Sequence, residues 1–151
     1  MGVKIIATNR KARHEYFLLD TYEAGIALQG SEIKSIRAGQ ISLAEAYVRI
    51  DGHEAFLEDA HIAPYEQAGR HYNHDPLRPR KLLLHKTEIH RLWNEVRQRG
   101  VTIIPLSVYL KEGRVKIEIA LAKGKKLYDK RAAIAKRDAE RDISRHGHEH
   151  D

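Results

Sequence analysis

The densest group of residues able to do chemistry lies near the C-terminal end of the chain, where basic side chains follow closely on one another. Its first members are Lys123, Gly124, Lys125, Lys126, Tyr128, Asp129, Lys130 and Arg131. Residues 123–145 hold nine Lys or Arg against four Asp or Glu, so they carry +5 of the formal charge of +6. Such cations neutralise phosphates, and a tyrosine ring can stack on a base. The segment therefore suits a polyanionic partner.

Two groups of histidines offer a different chemistry, the binding of a transition metal through imidazole. The first consists of His71, His74 and Asp75, and the second of His146, His148 and His150. The Asn-His-Asp-Pro run of the first group is better explained as a turn before Pro76. The second group is typical of a flexible end that picks up metal adventitiously. We therefore expect neither a metal site nor a cofactor.

The remaining composition gives no sign of an enzyme. The chain has no cysteine, which excludes disulfides, thiolate catalysis and sulfur-ligated zinc. It shows no Ser-His-Asp arrangement, phosphate-cradling glycine loop or convincing pair of carboxylates. The apolar run at residues 1–7 is too short for a signal peptide, and no stretch is long enough to span a bilayer. A cytoplasmic, monomeric binding protein without a membrane partner is the expectation.

An apolar period of two dominates the part of the chain that precedes the basic segment. It predicts strands over 16–28 (interrupted near Asp20), 46–50, 55–57, 101–110 and 114–122. Lys111 to Arg114 should form a tight turn, because Gly113 can take the positive φ that a short hairpin requires. The last two strands should therefore pair antiparallel. We expect one folded domain over 1–122 and a basic tail over 123–151.

Two helices are predicted between the strands. Ser31 is the expected N-cap of a short helix that Gly39 ends, and Thr87 is the expected N-cap of a longer helix that Gly100 ends. The second helix would bury a face made by Ile89, Leu92, Trp93 and Val96. Short strands with helices inserted among them favour an OB-like barrel over a parallel α/β sheet.

The basic tail has a weak helical pattern of its own. Tyr128, Ala132, Ala135, Ala139 and Ile143 fall on one stripe of a helix. Because buried alanines contribute little and an isolated helix of about 15 residues is marginal in water, we predict a tail that is disordered when free and helical against RNA. A helix packed on the barrel and a solvated arm without a partner remain as alternatives.

Four ordered blocks carry a resemblance to a known family. They read NRKARHEYF at 9–17, YEAGIALQGSEIKSIRAG at 22–39, RKLLLH at 80–85, and LAKGKK at 121–126 with DKR at 129–131. Together they closely resemble the SsrA-binding proteins, or small protein B, which bind tmRNA in bacterial trans-translation. The similarity runs from about Ile5 to Arg141 without a large gap.

The resemblance implies an OB-like antiparallel β-barrel with about three helices and a basic C-terminal tail. It implies binding to the tRNA-like domain of tmRNA, support of its aminoacylation, and delivery with elongation factor Tu to stalled ribosomes. The body would stand in for the missing anticodon arm. The tail would enter the decoding centre of the small subunit and the empty mRNA channel.

Three residues match tmRNA-binding positions of that family, namely Glu23, Leu83 and His85. The resemblance gives His85 a hydrogen-bonding role, because some relatives have asparagine there. A buried Glu23 would suit an RNA site only by accepting hydrogen bonds from base amino groups or ribose hydroxyls, since a carboxylate repels phosphate. The alternative for Glu23 is a salt bridge at a strand end.

Further basic residues are plausible phosphate contacts, although surface charges often serve only to solvate the protein. They are Lys81, Lys34, Arg37, Arg13 and His14, with Arg10 and Lys11. In the tail, the resemblance assigns Gly124, Lys125 and Lys126 to the junction with the barrel, and Tyr128 to stacking on a base. It assigns Asp129, Lys130 and Arg131 to the accommodation of tmRNA, while Asp129 could also cap a helix.

Two other functions remain open at this point. One is a different OB-type RNA-binding or ribosome-associated protein, and the other is a small His/Asp metal hydrolase. A generic OB protein would bind unrelated single strands about as well as tmRNA. A hydrolase would depend on metal and on His74.

Overall fold

The computed structural model describes residues 2–69 and 71–125. Its elements in chain order are β1 (Val3–Thr8), α1 (Arg10–Glu15), β2 (Tyr16–Ile26), α2 (Gly30–Arg37), β3 (Ile41–Ser42), β4 (Tyr47–Asp51), β5 (Glu54–Glu58), β6 (His61–Ile62), a 3₁₀ turn (Glu66–Ala68), β7 (Arg80–Leu83), α3 (Lys86–Arg99), β8 (Thr102–Lys111) and β9 (Arg114–Gly124). The expected class, mainly β with three helices, is confirmed.

Seven strands form one antiparallel sheet in the order β1-β8-β9-β2-β7-β5-β4. The sheet curls so that β4 returns to contact β8, which gives a partly closed barrel with β1 outside the ring. Strands β3 and β6 form a separate pair. No helix in the part of the chain that the structure describes is long and apolar enough to cross a membrane.

The long hairpin of β8 and β9 follows the sequence pattern closely. Glu112 and Gly113 both have positive φ, 53° and 77°, and Lys111 pairs with Arg114 across the turn. This is the backbone of a two-residue hairpin whose twist matches its strands. Along β9, Ile117, Ile119 and Leu121 are buried. The predicted antiparallel pairing and the inward face of β9 are confirmed.

The ends of β2 and β9 differ slightly from the predicted segments. β2 is continuous from Tyr16 to Ile26, and the expected interruption near Asp20 takes the form of a register shift between Leu18 and Thr21. β9 runs on beyond Ala122 to Gly124, pairing Gly124 with Tyr16. The division into a barrel over 1–122 and a tail over 123–151 stays a prediction.

The core fills the inside of the curled sheet and is closed by two helices. Ile36 of α2 and Leu92 of α3 are fully buried against sheet residues such as Leu57 and Ile117. Trp93 differs from the prediction, because 36% of its surface is exposed while Ile89 and Leu92 are buried. The buried stripe of α3 is therefore narrower than the apolar pattern indicated.

The predicted N-caps of α2 and α3 are both wrong by two residues. Gln29 is the N-cap of α2, and its amide donates to the carboxylate of Glu32 at 2.8 Å. His85 is the N-cap of α3, and its amide donates to Glu88 at 3.0 Å. In each case the carboxylate three residues on satisfies an amide that the helix leaves without a partner. The predicted C-terminal glycines, Gly39 and Gly100, do adopt positive φ.

A buried ion pair joins α2 to the start of β7. Glu32 and Arg80 have no solvent exposure, and Arg80 Nε donates to Glu32 Oε2 at 2.6 Å. Arg80 also donates to the carbonyl oxygen of Ala60 at 2.7 Å, and Arg78 donates to the other oxygen of Glu32. Burial raises the pKa of Glu32, but hydrogen bonds from Arg78, the Gln29 amide and Arg80 outweigh it, so the pKa is lowered. Glu32 is thus a charged group in the interior, fully supplied with donors.

Candidate nucleic-acid interface

A surface groove of about 530 Å³ lies where β2, β7 and the start of α3 meet. We call it the β2–β7 groove. Four of the predicted RNA contacts line it, namely Glu23, Lys81, Leu83 and His85. They come from three separate elements, and the pairing of Gly25 with Leu83 across β2 and β7 brings them together. The structure therefore supports the grouping of these four residues at one site.

Glu23 lies on the rim of this groove and is not buried, contrary to the expectation. Its side chain is 41% exposed, and it accepts hydrogen bonds from the Tyr109 hydroxyl and from Lys111 Nζ, the latter at 3.4 Å. The Tyr109 hydrogen bond, assisted by the Lys111 cation, lowers the pKa of Glu23 below its usual value. At neutral pH Glu23 is thus an ionised acceptor with a fixed direction.

Tyr109 belongs to the site, although no sequence pattern predicted it. It is buried in β8, two strands from Glu23, and its hydroxyl reaches across β9 to the carboxylate. Burial raises the pKa of Tyr109 and the hydrogen bond to Glu23 raises it further, so the hydroxyl stays a donor. Because 86 positions separate the two residues, no local pattern could have indicated the contact.

Leu83 is an apolar side chain in a charged setting. It is 56% exposed and lies over β2 at Gly25. A Cβ atom at position 25 would come within 3.2 Å of the Leu83 Cβ and 3.3 Å of its Cδ1. Gly25 therefore gives the leucine room to lie flat on the strand. An exposed leucine held in this way can pack on the face of a base or a ribose.

His85 and Lys81 flank Leu83 on opposite sides. His85 is exposed at the N-terminus of α3, where Glu88 anchors its amide. Lys81 Nζ lies 3.6 Å from Glu54 Oε1, and both side chains are about half exposed, so this ion pair is weak and open to a competing phosphate. Both residues can therefore reach a ligand without breaking buried structure.

Arg37 and Lys34 lie on α2, outside the β2–β7 groove. Arg37 lines an adjoining pocket of about 360 Å³ that shares Leu83, and its Nη2 donates to the carbonyl of Gly113 at 3.3 Å. Lys34 Nζ lies 5.5 Å from the centre of the Tyr65 ring, a cation–π contact. Arg37 is thus placed to extend the groove, whereas Lys34 faces a different neighbour.

A second basic region lies at the other end of β2, where Tyr16 pairs with Gly124 at the end of β9. We call it the β9 end. Ala12 of α1 is buried, while Arg13 and His14 are exposed in the last turn of that helix. Lys125 Nζ donates to the Arg13 carbonyl at 2.8 Å and lies 5.3 Å from the centre of the Phe17 ring. The structure therefore groups Arg13, His14, Gly124 and Lys125. The other predicted tail residues, Lys126, Tyr128, Asp129, Lys130 and Arg131, lie outside the described residues.

His74 is occupied in a way that does not suit a metal ligand. Its ring is buried, with Nδ1 2.8 Å from Ser31 Oγ and Nε2 2.9 Å from the Ile62 carbonyl oxygen. Asp75 accepts from the Leu77 amide at 3.0 Å, as expected for a turn around Pro76. Within 2–69 and 71–125, no three His, Asp or Glu side chains come together as metal ligands would.

Comparison with known proteins decides the family. The family model described as SmpB protein matches residues 6–149. The chain belongs to the SmpB family. This confirms the resemblance carried by the four sequence blocks, and it covers both the barrel and the basic segment beyond it.

Relatives of this SmpB chain cover almost its whole length. The SsrA-binding protein of Desulforudis audaxviator is 60% identical over 142 residues, which cover 94% of this chain and 92% of that protein. The SsrA-binding protein of Roseiflexus sp. (strain RS-1) is 62% identical, covering 94% and 90%. A chain in a solved structure described as "tmRNA-SmpB: a journey to the center of the bacterial ribosome" is 50% identical, with a TM-score of 0.67 and coverage of 79% and 83%.

Proposed function

We propose that this chain binds the tRNA-like domain of tmRNA through the β2–β7 groove and acts in trans-translation in the cytoplasm. Membership of the SmpB family and the relatives' name, SsrA-binding protein, support the partner. The single observation that carries the site is the convergence of Glu23, Leu83 and His85, from three elements, on one groove.

The chemistry of the groove fits structured RNA better than a bare phosphate chain. Glu23 repels phosphate but accepts hydrogen bonds from base amino groups and ribose hydroxyls. Leu83 supplies an apolar surface beside it, and His85 can donate or accept a hydrogen bond. Lys81, Lys86 and Lys116 line the same groove and can neutralise the flanking phosphates. Position is set by the cations, and discrimination by Glu23 and Leu83.

The β9 end and the tail have a separate task in this proposal. Lys125 is held at the end of the barrel, and Lys126, Tyr128, Asp129, Lys130 and Arg131 follow it in the sequence. We assign the tail beyond Lys126 to the decoding centre of the small ribosomal subunit and to the empty mRNA channel, while Lys125 at the β9 end adds affinity for RNA phosphates. The barrel, as a monomer, supports aminoacylation of tmRNA and its delivery with elongation factor Tu.

The binding site is tested by the affinity of the full-length protein for the tRNA-like domain of tmRNA, measured by filter binding. Glu23→Ala should weaken binding by roughly 10-fold or more, because a charged hydrogen-bond acceptor is lost. Leu83→Asp should weaken it by roughly 100-fold, because it places an unpaired charge against the RNA. Leu77→Asp is the matched control, since Leu77 is similarly exposed, at 52%, but lies outside the groove.

Two results would contradict the proposed site. If the native protein binds unrelated single-stranded RNA as tightly as the tRNA-like domain, it is a general OB-type RNA-binding protein. If Leu83→Asp and Leu77→Asp weaken binding equally, the β2–β7 groove is not the contact surface.

The division between barrel and tail is tested by ending the chain after Lys126. We expect this truncated protein to bind the tRNA-like domain nearly as tightly as the full-length chain. It should fail to support tagging of nascent chains on stalled ribosomes in a reconstituted translation assay. Normal tagging by the truncated protein would contradict the assignment of the tail to the ribosome.

A further inference from the structure

A second groove of about 290 Å³ lies beside the first, between the outer face of α3 and the turn that joins β4 to β5. We call it the α3 groove. The residues that matter here are His53, Lys86, His90, Trp93, Asn94 and Arg97. Neither the sequence motifs nor the proposed tmRNA contacts account for this groove.

Trp93 gives the α3 groove an exposed aromatic surface. Trp93 is 36% exposed as a residue, although it lies next to the buried stripe of Ile89 and Leu92. The guanidinium carbon of Arg97 lies 5.5 Å from the centre of the ring, a cation–π contact. Aromatic rings and guanidinium planes are the surfaces on which proteins stack unpaired bases.

The charge of the α3 groove favours a polyanion. Lys86 and Arg97 bring two cations, His53 and His90 bring imidazoles, and Asn94 brings an amide that can donate or accept. Among the described residues that line it, none is acidic. This distinguishes it from the β2–β7 groove, whose lining includes Glu23, Glu54 and Glu88.

The two grooves are continuous. His53, Lys86 and Ile89 line both of them, so a strand that leaves the first groove past Lys86 enters the second. We infer that the α3 groove binds an unpaired nucleotide of the RNA held in the β2–β7 groove. Its base stacks on Trp93, and neighbouring phosphates bind Arg97 and Lys86. This inference rests on the proposed function, because the first groove must hold the RNA.

The chain provides its own probe for this inference. Trp93 is the only tryptophan, so fluorescence excited at the red edge of the tryptophan band reports on the α3 groove alone. Titration of the full-length protein with the tRNA-like domain of tmRNA should quench this fluorescence as the base stacks. In filter binding, Trp93→Leu should raise the Kd by about 5-fold or more, while Trp93→Phe should recover most of the loss.

A charge variant gives a readout that does not depend on the aromatic ring. Arg97→Ala should reduce the slope of log K against log salt by about one phosphate contact. Arg91→Ala is the matched control, because Arg91 is an exposed arginine of α3 that does not line the groove. It should leave both the slope and the Kd unchanged, and both arginine sites are exposed, so these variants should fold.

The possible results distinguish a failure of the α3 groove as a nucleotide site from a failure of the proposed function. If the native protein binds the RNA but its fluorescence and the Kd of Trp93→Leu do not change, the α3 groove is not a nucleotide site, and the proposed function stands. If Arg97→Ala and Arg91→Ala reduce the salt slope equally, the inference is overturned as well. If the native protein does not bind the RNA at all, both proposals are wrong.

Discussion

The two ends of β2 present different surfaces to a nucleic acid. At one end, Glu23 is held by Tyr109 and Lys111 beside Leu83, so the β2–β7 groove combines a fixed acceptor with an apolar side chain. At the other end, Lys125 lies over Phe17 and donates to the Arg13 carbonyl. Tyr16 and Glu23 are roughly 23 Å apart along an extended strand.

The difference teaches how one small protein can separate selectivity from attraction. A carboxylate held in one orientation binds a partner that brings hydrogen-bond donors to it, and it repels phosphate groups. Lysine and arginine side chains attract phosphates from any RNA, in a manner that salt weakens. We therefore expect the β2–β7 groove to determine which RNA binds, and the β9 end to add affinity for any RNA.

The largest effect should come from removing the buried ion pair between Glu32 and Arg80, at the start of the strand β7 that carries Lys81 and Leu83. Arg80→Ala leaves the buried Glu32 without its fully buried partner, which should lower the free energy of unfolding by about 3–5 kcal/mol. Urea unfolding followed by circular dichroism measures this. Arg49→Ala is the control, because the Arg49 side chain is 42% exposed where it pairs with Asp51 and Glu58, and its loss should cost no more than about 1 kcal/mol. Equal losses of unfolding free energy in the two variants would show that the ion pair of Glu32 and Arg80 contributes no more than a surface ion pair.

The same ion pair should make stability depend on pH. Because the folded-state pKa of Glu32 is lower than its ordinary value of 4.5, its stabilising contribution is complete above that value. The contribution is lost as the pH falls from there through the folded-state pKa, since the carboxyl must then be protonated in the folded protein. Glu32→Gln should flatten the pH dependence of the free energy of unfolding between pH 5 and the acid transition. An unchanged profile would mean that other carboxylates govern acid unfolding.

A smaller effect on RNA affinity should follow when the Glu23 carboxylate is no longer held in one orientation. Tyr109→Phe removes the hydroxyl that donates to the carboxylate and leaves the ring in place. We expect about 5-fold weaker binding to the tRNA-like domain, because the free carboxylate must be ordered when RNA binds. Filter binding measures this, with Tyr47→Phe as the control, since Tyr47 is an exposed tyrosine outside the groove. Equal affinity of Tyr109→Phe and the native protein would remove the distinction between a fixed and a free acceptor.

The smallest effect should be seen at the β9 end. Lys125→Ala should reduce the slope of log K against log salt by about one and weaken binding by only a few-fold at moderate salt. Glu23→Gln should leave the slope unchanged, because Glu23 contacts no phosphate. Measuring Kd over a series of salt concentrations compares the two directly. A steeper loss of slope in Glu23→Gln than in Lys125→Ala would reverse the roles proposed for the two ends.

Much of the fold is determined by patterns within short stretches of the sequence. The alternation along 114–122 places Ile117 and Ile119 inside, and Gly113 permits the turn of the hairpin. Gly39 and Gly100 end their helices as predicted. These features depend on residues a few positions apart, so the sequence carries them without reference to the rest of the chain.

Other elements escaped prediction because their patterns depend on distant partners. β1 is an exposed edge strand without a clear alternation, and α1 has only six residues. β7 alternates in burial, but its first inward position is Arg80. A charged residue does not read as a core position, and Arg80 is buried because it pairs with Glu32, which is distant in the sequence. Trp93 fits the apolar period of α3 yet remains partly exposed.

For the site, the sequence alone determined the family and supplied the candidate residues, because four ordered blocks can be read as linear motifs. Glu23, Leu83 and His85 could be named in this way, and so could the basic tail. Only the tertiary structure decided that Glu23 is exposed and oriented by Tyr109, that Leu83 lies over Gly25, and that Trp93 opens a second groove. These contacts join residues far apart in the chain, so their energies depend on the register of whole strands, which no short motif specifies.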